Sequence, residues 1–152
     1  VSELDVKALL DRAAINDVLD NYAAGIDGRD FGLVASLFTD DAQLDYTTSG
    51  GPTGDRDEVM HWLRETLPAV ALTQHLLVNR RIRVDGDTAT ASTDLFNPLL
   101  FGSDDNMQVL LLGGRYDDEL IRTQDGWRIS RRVHTTTWTA GPFHGELSTP
   151  EA

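Results

Sequence analysis

The chain has 152 residues, 13 Lys and Arg against 25 Asp and Glu, a formal charge of −12 and no cysteine. Its length suits one domain with a real core, and its charge repels phosphate backbones and anionic lipid, so nucleic acid and membrane surfaces are poor partners. Without thiols there is no disulfide framework, thiolate nucleophile or zinc–thiolate site, and any chemistry must use carboxylate, imidazole, phenol, hydroxyl or guanidinium.

No apolar run approaches the roughly 18 to 20 residues that span a bilayer, and V-S-E-L-D-V-K has no basic segment leading an apolar block, so a cytoplasmic protein is expected. Ser2 and Asp5 resemble a loose capping box. Behind them Val6, Leu10, Ala14, Val18, Tyr22 and Ile26 recur at about helical spacing, widened by Ile15 and Leu19. Gly25 and Gly28 bracket Ile26-Asp27, and a second short helix is expected from near Asp30 to Thr39. A-Q-L-D-Y-T-T reads as a first strand and S-G-G-P-T-G as a turn-rich break. A third helix follows, with Asp55 and Glu58 as capping box, Val59, Trp62, Leu63 and Leu67 as apolar side, and Pro68 as its stop.

Thr73 to Val84 reads as a strand with His75 at its mouth. Three long strands come after it, joined by V-D-G-D and T-Q-D-G hairpin turns. Gly113-Gly114 and Pro98 mark expected bulges or bends. The order points to an α+β fold: three N-terminal helices on a strongly curved, mixed, mainly antiparallel sheet, forming a cone around an internal cavity that suits a small molecule. One domain is expected over 1–152, with a core at about 5–140 and a tail at 141–152.

Each candidate residue has two readings. His75, beside Leu76, Leu77 and Val78, is either a half-buried core histidine or an imidazole aimed at a ligand. Asp27 either caps the next helix or accepts the imidazole N–H; Asp30 is the better-placed cap, which leaves Asp27 spare. Tyr22 is either a core aromatic or a phenol at the cavity. Five residues along a helix rotate a side chain by about 140°, so Tyr22 and Asp27 are expected to share a cavity only if the helix ends near Gly25. On the last strand, Trp127, Ile129, Arg131, Val133 and Thr135 alternate with Arg128, Ser130, Arg132, His134 and Thr136, and apolarity alone does not say which set faces the hollow. Asn97 is the one polar side chain in L-F-N-P-L-L-F and a candidate substrate-facing amide. His61 and His144 read as surface residues. His75, His134, Asp27 and Asp94 lack any local metal-ligand spacing, so neither metal nor cofactor is expected.

The series D-R-A-A-I-N-D-V-L-D-N-Y-A-A-G-I-D-G-R-D-F, L-F-T-D-D-A, T-Q-H-L-L-V-N and D-G-W-R-I-S-R-R resembles the SnoaL-like branch of the nuclear transport factor 2-like superfamily. Within that branch it is most similar to the scytalone dehydratase, bile-acid dehydratase and hexachlorocyclohexane dehydrochlorinase group. The resemblance implies an α+β barrel and a catalytic Asp27–His75 dyad at the cavity floor. It also implies that Tyr22 hydrogen-bonds a substrate oxygen and that Arg132 lines the cavity, where it would hold a leaving group or oxyanion; the bland alternative for Arg132 is a salt bridge across the sheet. If Arg132 faces inward, alternation brings His134 and Thr136 with it as substrate contacts. The chain departs from the scytalone pattern in having no obvious second histidine at mid-sheet, a place His134 could fill from another strand.

The expected function is a cofactor-independent lyase of the dehydratase type, acting on a small, largely apolar, cyclic, aromatic or steroid-like molecule. The same parts would serve an isomerase or polyketide-type cyclase. The rival from another class is a non-catalytic binding protein, or a structural subunit like the small subunit of aromatic-ring dioxygenases. A homo-oligomer is expected, with a trimer favoured over a dimer, to cover an apolar outer sheet face.

Overall fold

A computed structural model describes residues 3–141. The capping box read from Ser2 and Asp5, and the tail with His144, lie outside the described residues. The first helix, α1 (Glu3–Asp27), buries Asp11, Ile15, Val18, Leu19, Tyr22 and Ile26. Val6, Leu10 and Ala14 of the expected stripe are exposed instead: the buried stripe runs through Asp11, Ile15, Val18, Leu19, Tyr22 and Ile26. Asp11 opens the buried face because partners neutralise it: Lys7 Nζ and Arg122 Nη1 each lie 2.8 Å from its carboxylate. Among the described residues no helix is long and apolar enough to cross a membrane.

The helix does not stop at Gly25. It runs to Asp27 and closes in a Schellman arrangement, with Asp30 N–H donating to Gly25 O at 2.8 Å and Arg29 N–H to Ile26 O at 3.2 Å. Arg29, at φ +59°, takes the left-handed position that a glycine usually fills. Gly25 serves close packing: a Cβ there would sit 2.7 Å from Val34 Cγ2 of α2 (Phe31–Ser36). Asp30 caps α2 by accepting from Leu33 N–H at 2.9 Å, which leaves Asp27 free as the sequence suggested.

The first strand, β1 (Phe38–Asp45), begins and ends earlier than read from sequence. The Asp45 carboxylate accepts from Thr47 N–H (3.0 Å) and Thr47 Oγ1–H (2.6 Å), which turns the chain into a single 3₁₀ turn at Thr47–Ser49. Within the expected break lies a short strand, β2 (Thr53–Asp55), antiparallel to β1. Helix α3 (Arg56–Thr66) carries the expected Asp55–Glu58 capping box and buries Val59, Met60 and Leu63.

The remaining strands are β3 (Leu72–Thr73), β4 (Leu76–Asp85), β5 (Thr88–Phe101), β6 (Gln108–Thr123) and β7 (Gly126–Ala140). Their sheet order is β2-β1-β7-β6-β5-β3, with β4 also on β5; β1 and β7 run parallel and the other pairs antiparallel. The sheet is curved and unclosed, with the helices packed on it. The single strand expected from Thr73 to Val84 is thus two strands, and Gln74-His75 form the break between them.

Pro98 explains that break and makes no bulge of its own. Its pairing with β6 is continuous, Asn97 opposite Leu112 and Pro98 opposite Leu111. Its carbonyl accepts from Gln74 N–H at 3.2 Å, so its missing N–H falls on the β3/β4 edge, where the ladder gives out.

Two bulges on β7 decide which side chains face inward. The register against β6 shifts between Glu119 and Leu120, so Trp127 and Ile129 are buried before the shift and Arg132 and His134 after it. Neither alternating set read from the sequence is inward throughout. The second shift, between Gly113 and Gly114, is the one expected there. It lays Trp138 on the outer face across Gly113, where a Cβ would meet its indole at 2.1 Å. The outer face has an apolar patch at this end, around Leu76, Val78, Phe96 and Trp138. Toward the hairpins it carries Arg81, Arg83, Asp117, Glu119 and Arg131.

Candidate active site

Between the helices and the concave face lies a cavity of about 80 Å³. Tyr22 and Ile26 of α1, Tyr46 after β1, Trp62 and Leu63 of α3, and His75, Asn97, Tyr116 and His134 from the sheet side line it, among others. Among the described residues no Arg, Lys, Asp or Glu side chain lines it.

His75 sits where the ladder is interrupted, which frees its backbone N–H to turn toward the end of α1. That N–H donates to Asp27 Oδ2 at 2.8 Å, and the ring Nδ1 lies 2.7 Å from Asp27 Oδ1. One carboxylate therefore holds both the main chain and the ring of the histidine. The far ring nitrogen, Nε2, is 3.3 Å from Asn97 Nδ2. The amide orientation of Asn97 follows from its other contacts: its Oδ1 accepts from Thr73 Oγ1–H (2.8 Å) and Gln74 N–H (3.3 Å), so its NH₂ faces the imidazole. An NH₂ at Nε2 makes that nitrogen the acceptor, and the ring proton then sits on Nδ1 toward Asp27. Tautomer and rotamer are fixed from both sides, with the lone pair directed to the cavity.

Asp27 does not line the cavity; it stands behind the imidazole. This is why an unbroken helix suffices, contrary to the expectation from rotation. Tyr22 faces the hollow directly, and Asp27 reaches the back of a ring whose centroid lies 6.3 Å from that of Tyr22.

Tyr22 Oη shares a 2.7 Å hydrogen bond with Tyr46 Oη. Burial raises the pKa of both phenols well above the usual tyrosine value, so both stay protonated, and the pair has one O–H left over to donate elsewhere. Tyr46 was not foreseen, although Ala42, Leu44 and Tyr46 alternate inward along β1 and its continuation.

Arg132 is inward but is not a cavity group. It is fully buried, donates from Nε and Nη2 to the two carboxylate oxygens of Asp118 at 2.7 and 2.8 Å, and lies between the Tyr22 and Tyr116 rings at 4.0 and 4.2 Å. The geometry matches the cross-sheet salt bridge, and Asp118 shares the inward register of β6 with Tyr116 and Leu120. Thr136 is also absent from the lining: it keeps the phase of His134, opposite Gly114, but lies at the 3₁₀ turn, where its N–H donates to Thr48 Oγ1 at 2.9 Å. Among the described residues no three His, Asp or Glu side chains converge as a metal would require.

His134 is 3% exposed, and among the described residues neither ring nitrogen has a hydrogen-bond partner. Its ring lies between Tyr46 and Tyr116, at centroid distances of 5.8 and 5.1 Å. Burial, then the nearby Arg132 charge, lower its pKa from 6.5 to about 4. The unfolded chain therefore binds a proton that the native state refuses between those values. Stability is expected to hold above pH 6.5, to fall between 6.5 and 4, and to level off below, with about 3 kcal/mol lost across the window. Urea titrations of wild type and His134→Leu over pH 4 to 7 check this, because the substitution should flatten that part of the profile.

A SnoaL-like domain profile matches residues 7–133. The chain is 42% identical over 134 residues to the uncharacterized protein Rv2910c of Mycobacterium tuberculosis, covering 88% of this chain and 90% of that one. Among solved structures it is similar to a hexachlorocyclohexane dehydrochlorinase, LinA type 2, with 24% identity, a TM-score of 0.79 and coverage of 97% and 99% of the two chains. It is also similar to a Novosphingobium aromaticivorans protein provisionally named a scytalone dehydratase, with 20% identity, a TM-score of 0.79 and coverage of 95% and 96%. At these identities the two structures speak for the fold alone. With the profile spanning most of the chain and a relative of this identity over nearly all of it, the protein belongs to the SnoaL-like family, on the nuclear transport factor 2-like scaffold.

Proposed function

We propose that the protein is a cofactor-independent lyase of the dehydratase type, acting on a small cyclic ketone that carries a hydroxyl group. The observation that carries this reading is the His75 ring, held by Asp27 at 2.7 Å with its other nitrogen at the cavity. His75 Nε2 removes a proton from the carbon beside the carbonyl. The electrons of that C–H bond form the new double bond as the neighbouring C–O bond breaks. The imidazolium then returns its proton to the departing hydroxyl, so water leaves and the dyad is restored. Asp27 stabilises the imidazolium, and the Tyr22–Tyr46 pair donates its spare O–H to the carbonyl oxygen as negative charge develops there. Asn97 itself is anchored by Thr73 and Gln74, but its 3.3 Å contact to Nε2 is long, and this contact is the one that substrate displaces.

The neighbours named as a dehydrochlorinase and, provisionally, a dehydratase share this scaffold, and both names describe eliminations. An isomerase begins with the same proton removal and differs in where the proton returns. The cavity in this conformation, about 80 Å³, is roughly half the 150 Å³ apolar cavity that takes up benzene, so any cyclic substrate requires the lining to move apart, and the smallest rings require the least movement.

The test is deuterium incorporation from D₂O into 3-hydroxycyclohexanone and its bicyclic analogues. Exchange beside the carbonyl with release of the enone is expected for wild type, and background exchange for His75→Ala. No exchange across the series would overturn the reading, and exchange without loss of water would move it to an isomerase.

A homo-oligomer, a trimer before a dimer, accompanies this reading. Its support is the apolar end of the sheet, where Leu72, Leu76, Val78 and Trp138 are between 40% and 49% exposed. Light scattering at micromolar concentration is expected to give about three times the 16.8 kDa chain mass, and a value near one chain mass refutes it.

A further inference from the structure

We infer that His134, its ring accommodated by Gly114, forms a second polar subsite in this cavity, one that takes a hydroxyl or keto oxygen of an uncharged ligand and leaves no place for a halide or carboxylate. The inference rests on reading the cavity as a substrate site and adds to it which chemical class fits.

A buried imidazole whose two nitrogens lack partners weakens a fold, and a leucine or phenylalanine would pack between Tyr46 and Tyr116 without that penalty. The position is better explained by a partner that arrives from the cavity His134 lines. Gly114 keeps the space around the ring: a Cβ on it would lie 3.1 Å from His134 Nε2 and 2.7 Å from Thr135 O. Burial and Arg132 keep the imidazole neutral at ordinary pH, so the nitrogen that meets a ligand is either an N–H donor or an acceptor according to the tautomer, and a hydroxyl satisfies either while a keto oxygen takes the N–H.

Charge excludes the alternatives. Arg132 packs on the Tyr22 and Tyr116 rings with Nε and Nη2 committed to Asp118 at 2.7 and 2.8 Å; its Nη1 is buried without a hydrogen-bond partner among the described residues, but the side chain does not line the cavity. With no Arg or Lys among the described residues of the lining, an anion brought into the cavity would lose its hydration without a counter-charge there. The subsite also stands apart from the dyad: His75 Nε2 faces Asn97 on β5, whereas His134 is on β7 opposite Tyr116. A ligand reaching both must carry its second oxygen away from the carbon presented to His75.

The test is binding, which needs no turnover, using resorcinol, 3-chlorophenol and 3-hydroxybenzoate as probes and the ¹⁵N-imidazole signals of His75 and His134 as readout. Resorcinol is expected to shift both histidines, 3-chlorophenol to bind about tenfold more weakly, the loss of roughly one hydrogen bond, and 3-hydroxybenzoate not to bind. His134→Leu is expected to lower resorcinol affinity about tenfold while the melting temperature stays level or rises, and His134→Asn to recover part of the affinity. Equal binding of the three probes, or resorcinol shifts at His75 alone, would overturn the subsite. Probes that move neither histidine would remove the substrate cavity itself. The expected binding pattern without deuterium exchange would leave the subsite standing and remove only the lyase.

Discussion

His75→Ala is expected to lower turnover by about 10² to 10⁴-fold, the range for losing a positioned proton-transfer group, and to leave probe binding within a few-fold of wild type. Asp27→Asn tests the same unit from behind. Its shape is kept, but an amide can present an NH₂ where the carboxylate accepts from Nδ1–H (2.7 Å) and from the His75 backbone N–H (2.8 Å). The imidazole then favours the tautomer with its proton on Nε2, pointing at the carbon it should deprotonate. The kcat is expected to fall with little change in KM. Tyr22→Phe should cost less, since Tyr46 can still donate to the carbonyl. Turnover is measured on whichever hydroxyketone exchanges fastest, beside a thermal melt of each variant. A core histidine would lower the melting temperature and keep activity per folded molecule, and a stable His75→Ala with full turnover would end the mechanism.

The second large effect is on stability and lies in the Arg132–Asp118 pair. Both side chains are fully shielded from solvent, and the contact is bidentate. Asp118→Ala leaves a guanidinium buried between two tyrosine rings with no counter-charge, and unfolding free energy is expected to drop by about 3 to 5 kcal/mol. Replacing both partners, Arg132→Met with Asp118→Leu, should recover most of the loss, because the double variant removes the charge and keeps the volume. Urea denaturation of the single and double variants gives the coupling directly. If Arg132 instead met substrate anions, Asp118→Ala would fold normally and bind 3-hydroxybenzoate more tightly than wild type.

Features governed by short-range rules were legible in the chain alone. Helical period placed α1 and α3, the Asp55–Glu58 capping box marked a helix start to the residue, and Asp-Gly turns joined the long strands. Asp30, three residues before Leu33, identified itself as a cap, which left Asp27 for His75; the motif resemblance named the same two residues, and the fold brings them to 2.7 Å. The tertiary structure decided whatever depends on register. Strand alternation is a rule of period two, and each bulge on β7 reverses its phase, so whether Arg132, His134 and Thr136 faced the cavity was not fixed by local pattern. Arg132 could be a cavity cation or half of a salt bridge until β6 placed Asp118 across from it, 14 residues away in the chain. Tyr22 and Tyr46 likewise met only through the fold, 24 residues apart in the chain. The break that turns His75 toward Asp27 is set by Pro98 on the neighbouring strand, a proline whose effect falls on the edge it cannot pair.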